Sequence, residues 1–369
     1  MTQWQSVPLG EAIELAYGKS LPKGSRVESG SIPVYGSNGI TGWHDTAVLD
    51  GPAVIVGRKG SAGAVQFVDG PCFPIDTTYF ARPRQGFDFD IKFLFYTLRQ
   101  LDLSRLKTAT GVPGLTREDA YRETIRVPPL PEQRRIVDLL SRAEGIVRLR
   151  REAEKKAAEL IPALFLDMFG DPEANPKQWP IQTLKSLVSF VSGGTPSKSR
   201  EDFWEGDLPW VSPKDMKRVG IDSAIDHVNR KVLTETSIKL IPVGSVLIVV
   251  RGMILVHTVP VAQSLVPITI NQDMKALIPN PSVNGTYLLW SLRVRQAKLL
   301  NLVATAAHGT KKLETERLEA FLVPLPPLSA QSDFANKLAC IESIQTQQSV
   351  ASAKAQATFD ALLAQAFSA

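Results

Sequence analysis

The stretch Pro128-Pro129-Leu130-Pro131-Glu132-Gln133 decides the fold, because the chain contains it twice. Its second copy is Pro326-Pro327-Leu328-Ser329-Ala330-Gln331, 198 residues later. The same offset continues without a gap through the segments that follow, so that Phe169 aligns with Phe367. A chain built as variable block, helix, variable block, helix predicts a pseudo-twofold molecule. Such a molecule suits a partner that also has two halves, and duplex DNA is the obvious one.

The segment after the first copy is predicted to be one long helix. From Glu132, apolar residues recur at alternating spacings of three and four, with Arg150 as the one polar member, which is the heptad pattern of a coiled coil. About 37 residues at 1.5 Å each would span roughly 55 Å. Pro162 is predicted to bend or end the last turns. The heptad positions are Ile136, Leu139, Ala143, Ile146, Arg150, Ala153, Ala157, Leu160 and Leu164.

A second helix is predicted from about Ser329 to Phe367, with a polar middle at residues 345–348 that makes a weaker seam. Two surface helices of separate domains would be the simpler interpretation. The equal lengths instead favour an intramolecular antiparallel coiled coil. The heptad positions of this second helix are Phe334, Leu338, Ile341, Ile344, Ala351, Ala355, Leu362 and Ala366.

Each variable block predicts a mixed α/β domain. Strands are predicted at Ala53 to Val56 and at Ser245 to Val250, because both runs are apolar and β-branched. Helices are predicted from Ile91 to Leu106 and from Tyr287 to Leu300. The predicted division is a first block at 1–131, a helix at 132–170, a second block at 171–328 and a helix at 329–369.

Composition narrows the class of protein. The chain has 369 residues, 44% of them hydrophobic, which suits two or three folded domains. We expect no signal peptide and no membrane span, and therefore a cytoplasmic protein. Cys72 and Cys340 are predicted to be unpaired buried thiols, and the four histidines lack metal-ligand spacing. The net charge of +5 favours a polyanionic partner only weakly.

No catalytic motif is found in the sequence. The glycine-rich run Gly57 to Gly63 lacks the spacing of a phosphate-binding loop. Asp88 to Lys92 resembles a nuclease cluster faintly, and a solvated helix start explains it better. Motifs for amino-group methylation and for binding a methyl donor are also missing. The sequence therefore predicts a recognition protein without catalytic or metal-binding residues.

Basic residues follow the predicted strand of each block. Arg58 and Lys59 come after the first strand and Arg251 after the second, and Gly60 or Gly252 comes next. Arginine there would contact guanine in the major groove or hold a phosphate, and glycine would let the backbone approach closely. An ordinary basic turn is the alternative. The shared position favours function for Arg58 and Arg251 and leaves Lys59 open.

Two further groups are candidate DNA contacts. Tyr35, Ser37 and Asn38 lie on a predicted Asn-Gly turn and would reach bases, although a purely structural turn is equally well supported. Lys311 and Lys312 suit a clamp on the DNA backbone. Proline and glycine stand at the corresponding positions of the first copy, so the two halves would clamp differently.

Together these segments resemble the specificity (S) subunit of type I restriction-modification systems over essentially the whole chain. Ser329-Ala330 departs from the Pro131-Glu132 of the first copy. Lys214, within one of the matching segments, joins the candidate DNA contacts. The segments that carry the resemblance are residues 128–133, 168–172, 193–197, 208–216, 251–255 and 271–275, with 35–40 and 57–60 as another class of the same domain.

The resemblance implies a fold and a function. Two α/β target-recognition domains would be joined by two antiparallel coiled-coil helices. Each domain would read one half of a split, asymmetric site in double-stranded DNA, and the helices would set the spacing. Two methyltransferase subunits would bring S-adenosylmethionine and methylate an adenine in each half-site. Two restriction and translocation subunits would bring ATP and magnesium, so that this chain itself would bind no cofactor.

Two other functions stay open from the sequence. The chain would also suit an orphan or type II-like recognition subunit that serves a different modification enzyme. A small nuclease is a weaker alternative, because the carboxylate and phosphate-loop motifs are missing.

Overall fold

The computed structural model describes residues 4–108, 112–305 and 309–368. Gly111 and His308, one of the four histidines of the chain, lie outside them. The chain forms two compact units, Met1–Glu152 with Ser349–Ala369, and Ala153–Gln348. Each unit therefore contains one variable block and half of each long helix, where the sequence suggested four consecutive segments.

The elements of the first block and the helix after it are β1 (Gln5–Pro8), α1 (Leu9–Ala12), β2 (Ile13–Tyr17), β3 (Ile32–Gly36), β4 (Gly39–His44), β5 (Ala53–Gly57), β6 (Val65–Val68), β7 (Phe73–Pro74), β8 (Thr78–Pro83), α2 (Ile91–Gln100), α3 (Arg117–Tyr121), β9 (Thr124–Val127) and α4 (Leu130–Phe169).

The elements of the second block and the last helix are β10 (Ile181–Thr183), α5 (Leu184–Leu187), β11 (Val188–Ser192), β12 (Leu208–Val211), β13 (Gly220–Ile221), β14 (Asp226–Val228), α6 (Val232–Glu235), β15 (Val246–Val249), β16 (Val261–Ser264), β17 (Thr269–Ile270), β18 (Met274–Pro279), α7 (Gly285–Arg293), α8 (Gln296–Asn301), β19 (Val303–Thr305), β20 (Lys311–Leu313), α9 (Thr315–Glu319), β21 (Leu322–Pro324) and α10 (Leu328–Ser368).

The two blocks share one strand order, to which the second adds the edge strand β13. The main sheet has the strand order β2-β8-β5-β6 in the first unit and β11-β18-β15-β16-β13 in the second. A smaller sheet accompanies each, in the orders β4-β3-β7 and β14-β12-β17. The predicted strands are confirmed as β5 and β15, which are buried throughout because both faces are covered. Mixed α/β architecture is thus confirmed, and the repeat extends into the blocks whose sequences diverge.

The predicted helices of the two blocks are shorter than expected. The first ends at Gln100, because Asp102 adopts a left-handed backbone conformation with φ of 46°, and a short 3-10 turn follows at Leu103–Leu106. The second divides into α7 and α8 at Arg295, whose φ and ψ are −108° and 35°. Apolar spacing alone did not reveal these breaks, because apolar residues continue beyond both of them.

One buried glutamine in each copy of the repeat anchors its long helix to its block. Gln133 accepts a hydrogen bond from the backbone N–H of Asp90 at 2.9 Å, and its amide donates to the carbonyls of Asp88 and Pro128. Gln331 accepts from Asn284 N–H at 2.8 Å and donates to a proline carbonyl in the same way. The glutamine is retained despite the Ser329-Ala330 departure beside it.

Replacing Gln133 by leucine should destabilise the first unit. The change leaves a buried N–H and two carbonyls without this partner, at about 1–3 kcal/mol for each group that stays unpaired. Urea unfolding would measure the loss, with Gln365→Leu on the exposed face of α10 as the control. An equal stability of the two variants would contradict the anchoring role.

The long helices pack against each other in antiparallel fashion within each unit. In the first unit, Arg151 donates to the side-chain oxygen of Gln356 at 2.8 Å, and Ile136 lies nearer the opposite end of the pair, beside Leu362. In the second unit, the ring of Phe165 lies 5.5 Å from that of Phe334. The predicted antiparallel helices are therefore observed in both units.

The predicted seam of α4 is confirmed at Ile136 and Ala157, which are buried, but it is wrong by one residue at three other positions. Ile146 is 52% exposed, whereas the next residue, Val147, is only 7% exposed. Leu139 and Leu160 are also exposed, and the following Leu140 and Ile161 are buried. Consecutive apolar residues fit either register. Tertiary contacts decide which register is buried, and the spacing of apolar residues does not predict them. One example is the hydrogen bond from Tyr96 of α2 to Glu144 of α4.

Pro162 does not end helix α4, which continues through it to Phe169, where Gly170 adopts φ of 78°. In α10, Ile344 is exposed and the neighbouring Gln345 turns inward, donating to the carbonyl of Ala157 at 2.7 Å. The predicted seam position Ile344 was therefore wrong, and Gln345 of the polar middle contributes a hydrogen bond to the packed face.

Candidate nucleic-acid interface

The candidate residues Arg58 and Arg251 lie at corresponding edges of the two main sheets, just after the ends of strands. Strands β2 and β5 are both antiparallel to β8, so they end at the same edge, at Tyr17 and just before Arg58. Strands β11 and β15 are both antiparallel to β18 and place Ser192 and Arg251 at the matching edge of the second unit. The residues after the strand ends are thus gathered by topology, although they are far apart in the sequence.

The structural counterpart of Arg251 is Lys59. Lys59 forms an isolated bridge with Gly114, and Arg251 forms one with Lys312. Gly114 and Lys312 occupy the same position of the 198-residue repeat. These backbone bridges therefore place Lys59 and Arg251 at equivalent positions in the two units.

Pairing Arg58 with Arg251 was consequently wrong. The carbonyl of Arg58 accepts from Leu115 N–H, and the carbonyl of Val250 accepts from Leu313 N–H, each at 2.9 Å. Arg58 thus corresponds to Val250, one position before the shared basic residue. Because Lys59 and Arg251 occupy the same position in the two units, repetition favours a functional role for Lys59. For Arg58, a functional role has to be inferred from the residues around it.

The glycine after each basic residue adopts a positive φ. Gly60 has φ of 77° and Gly252 has φ of 131°, values that residues with a side chain rarely adopt. No atom lies within 4 Å of a Cβ built at either position. The backbone is therefore open at both turns, as expected for a segment that approaches another surface.

Of the three candidate DNA contacts at the turn between β3 and β4, only one has an exposed side chain. Ser37 is buried, and its hydroxyl donates to the carbonyl of Thr77 at 2.6 Å. Tyr35 packs partly buried beside Cys72, and burial raises the pKa of its hydroxyl. Asn38 is exposed at the tip. Of the three candidates, Asn38 is the one whose side chain is exposed, although its oxygen accepts a hydrogen bond from the Ser61 hydroxyl at 3.5 Å.

Candidates in the second unit have polar partners within the chain. Arg251 lies 3.9 Å from Asp273, and Lys214 lies 3.1 Å from Asp226. Lys311 donates to the hydroxyl of Thr305 at 2.7 Å. Lys312, opposite Arg251, is partly exposed. Arg251, Lys214 and Lys311 are thus oriented by neighbouring groups before any partner binds.

A cleft of about 930 Å³ opens beside Lys214 in the second unit. Two tryptophans meet edge to face at its wall, with ring centres 5.2 Å apart. The sequence did not reveal this cleft, because its wall comes from four separate segments. Its lining residues are Lys198, Glu201, Trp204, Glu205, Trp210, Ser212, Pro213, Lys214, Asp226, Asn271 and Asp273.

A glycine at the end of the first sheet strand lets a neighbouring loop pass close by in each unit. A Cβ at Gly18 would lie 2.1 Å from the carbonyl oxygen of Ile75, and one at Gly193 would lie 2.0 Å from that of Asn271. The glycine-rich segment at residues 193–197 is therefore explained by close backbone packing at the sheet edge.

Two residues at the edge of the first unit were not among the candidates. The guanidinium of Arg117 lies 4.5 Å from the ring centre of Tyr17, and that of Arg58 lies 5.2 Å from it. Tyr79 packs beside Tyr17, and burial raises its pKa to about 12. Nothing in the sequence links positions 17, 58 and 117, although Arg117 lies just beyond the repeated glycine segment.

Metal and membrane features were searched over the described ranges, 4–108, 112–305 and 309–368. No group of three metal-ligating side chains occurs there, and no helix there is long and apolar enough to cross a membrane. Cys72 and Cys340 are both free thiols. Cys72 is buried, but Cys340 is exposed, so the expected burial of the second cysteine was wrong.

Comparison with known proteins gives the family. Residues 1–159 and 176–350 match the profile of the type I restriction modification DNA specificity domain. The chain belongs to this family. Its two matching regions correspond to the two variable blocks with parts of the helices, so each unit contains one specificity domain.

Curated specificity-domain proteins are similar over part of the chain. The EcoR124I/EcoR124II specificity subunit of Escherichia coli is 37% identical over 151 residues, which cover 41% of this chain and 37% of that protein. The MjaIX specificity subunit of Methanocaldococcus jannaschii is 25% identical over 172 residues, covering 46% and 39%. The alignments thus span less than two fifths of either relative.

Solved structures share the specificity-domain fold along the whole chain. The type I restriction-modification S subunit from M. genitalium has a TM-score of 0.64 at 16% identity, covering 99% of this chain and 96% of that one. A chain from a structure of a type I restriction-modification system has a TM-score of 0.65 at 21% identity, covering 100% and 98%. At these identities the likeness establishes the fold alone.

Proposed function

We propose that this chain is the non-catalytic DNA-recognition subunit of a type I restriction-modification complex. It reads a bipartite, asymmetric site in double-stranded DNA, one half with each specificity domain. The observation that carries the proposal is the matched pair of sheet edges, where Lys59 and Arg251 occupy the same position before an open glycine turn. Two similar edges with different side chains suit two half-sites of different sequence.

Partner subunits supply the chemistry in this proposal. Two methyltransferase subunits hold S-adenosylmethionine and methylate one adenine in each half-site. Two restriction and translocation subunits hold ATP and magnesium and cut DNA that lacks the methyl groups. The complex works in the cytoplasm, and this chain contributes the choice of sequence and binds no cofactor.

The exposed face of α4 supports docking of the methyltransferase subunits on the helices. Leu139, Ile146 and Leu149 are exposed in the first unit, and Leu160 and Leu166 in the second. Apolar residues in such number on one helix favour burial by a partner. Because α4 and α10 each continue from one unit into the other, their length would also set the number of unread base pairs between the half-sites.

Methylation assays test the proposal directly. The purified chain with S-adenosylmethionine should leave DNA unmethylated, and adding the methyltransferase subunits encoded beside it should methylate adenine in one split sequence. Methylation by the chain alone would exclude the proposal. If instead the chain directs an enzyme of another system, it is an orphan or type II-like recognition subunit, the alternative that the sequence left open.

Arg251→Ala and Lys59→Ala form a matched pair of recognition variants. Each should weaken binding by about 1–3 kcal/mol if it removes a base contact, Arg251→Ala at the second half-site and Lys59→Ala at the first. Competition binding with duplexes altered in one half-site measures this. A uniform loss across sequences, with a shallower dependence on salt, would assign the residue to a phosphate instead.

A further inference from the structure

An exposed tyrosine at the sheet edge of the first unit lies beside two arginines. Tyr17 ends β2 and is 48% exposed. The guanidinium carbons of Arg58 and Arg117 lie 5.2 Å and 4.5 Å from the centre of its ring. Both arginines are partly exposed, so the cluster is accessible from solvent.

These two arginines lack a counter-charge. Among the described residues, no carboxylate oxygen lies within 4.0 Å of a guanidinium nitrogen of Arg58 or Arg117. The Nε of Arg58 is buried and has no hydrogen-bond partner there. Both guanidinium groups approach the same tyrosine ring, and both oppose the rise in the pKa of the neighbouring Tyr79 hydroxyl through their positive charge, so the two like charges act on one place. The arrangement is therefore suited to an anion that both guanidinium groups would bind.

Among the described residues of the second unit, no such cluster occupies the corresponding position. Its strand register places Ser192 where the first unit has Tyr17, and the backbone ladder places Val250 where it has Arg58. Thr315 replaces Arg117 in the repeat. Lys275 is close by, but its ammonium already donates to the hydroxyl of Ser192 at 3.0 Å. The cluster is thus a property of the first domain and not of the shared fold.

We propose that Tyr17, Arg58 and Arg117 form a clamp for one phosphate group of the DNA backbone. A guanine edge accepts a single guanidinium in bidentate fashion, whereas a phosphodiester offers charged oxygens to two. The Tyr17 ring is a positioning group that keeps both guanidinium groups directed at the same place. The clamp carries no sequence information and fixes the register of the first domain on the duplex.

A combination of protein variants and modified DNA tests the clamp. The full chain, in complex with its methyltransferase subunits, first selects a duplex from a random-sequence pool. Single methylphosphonates, which remove one phosphate charge, are then placed at each position of that duplex. One position should weaken binding of the unmodified protein about tenfold, and Arg117→Ala should weaken it about tenfold on unmodified DNA. At that position, Arg117→Ala should cost less than about twofold further, because both changes remove the same contact.

Arg122→Ala is the matched control. Arg122 lies five residues further on, is exposed and pairs with Asp119 at 3.5 Å, so its loss removes one positive charge outside the cluster. It should bind all the duplexes like the unmodified protein, whereas Arg58→Ala should reproduce Arg117→Ala at the same methylphosphonate position. On unmodified DNA, Tyr17→Ala should weaken binding more than Tyr17→Phe, which keeps the ring.

The inference rests on the proposed function, and the outcomes separate the two. A complex that selects no duplex would overturn both. A complex that selects a duplex, but in which Arg117→Ala behaves like Arg122→Ala, would overturn the clamp alone. A loss that follows the identity of one base pair and is indifferent to every methylphosphonate would also overturn it, since the arginines would then read a base.

Discussion

Val147→Asp should strongly destabilise the first unit, whereas Ile146→Asp, one residue earlier, should change its stability by no more than about 0.5 kcal/mol. Val147 belongs to the buried cluster that contains Leu140 of α4 and Phe359 of α10. A carboxylate there would be buried without a partner, at a cost of about 3–5 kcal/mol. Ile146 is half exposed, so its carboxylate would stay in water. Urea unfolding of both variants measures the difference.

The second unit offers the same comparison independently. Ile161 is buried and Leu160 is exposed, so Ile161→Asp should destabilise that unit and Leu160→Asp should not. In the proposed complex, Ile146→Asp and Leu160→Asp should instead weaken binding of the methyltransferase subunits, which gel filtration would detect. Similar stability losses in both members of either pair would show that the buried face is not the one described.

Long-range repetition was predictable from the sequence, and the register of the helices was not. An offset that persists over the helical segments requires two similar helices, whatever they pack against. The buried row is harder to predict, because Leu139-Leu140, Ile146-Val147 and Leu160-Ile161 each provide an apolar residue in both registers. Tertiary contacts decide between them, and hydrogen bonds such as Gln133 to Asp90 have no periodic signature.

The candidate interface shows the same limit at short range. Strand order places Tyr17 near Arg58 across β8, a relation that the sequence does not contain. Matching residues by type paired Arg58 with Arg251, because both are arginines, whereas the backbone ladder pairs Lys59 with Arg251. The position directly after a strand therefore predicted where the basic residues lie. Residue type did not predict which basic residue of one unit is equivalent to which residue of the other.

Exchanging residues 171–328 for the corresponding segment of another specificity domain should replace the second half-site and leave the first unchanged. The first unit keeps its own core, because its buried cluster of described residues is built from residues 4–147 and 355–367. The exchange preserves the long helices on both sides of the segment. Sequencing of methylated sites in DNA from cells with the hybrid and its partner subunits would show which half has changed.

The structure specifies what the donor segment must carry. Tyr287 stacks on Phe165 of α4, with ring centres 5.6 Å apart, and the backbone N–H of Asn284 donates to Gln331 of α10. A donor with an aromatic residue and a helix-capping residue at these two positions should give a folded hybrid. The same hybrid with Tyr287→Ala should lose stability by about 3–5 kcal/mol, because a fully buried ring is removed. Altered bases in both half-sites of the intact hybrid would show that the two domains do not read DNA independently, and the proposed division of the site would then fail.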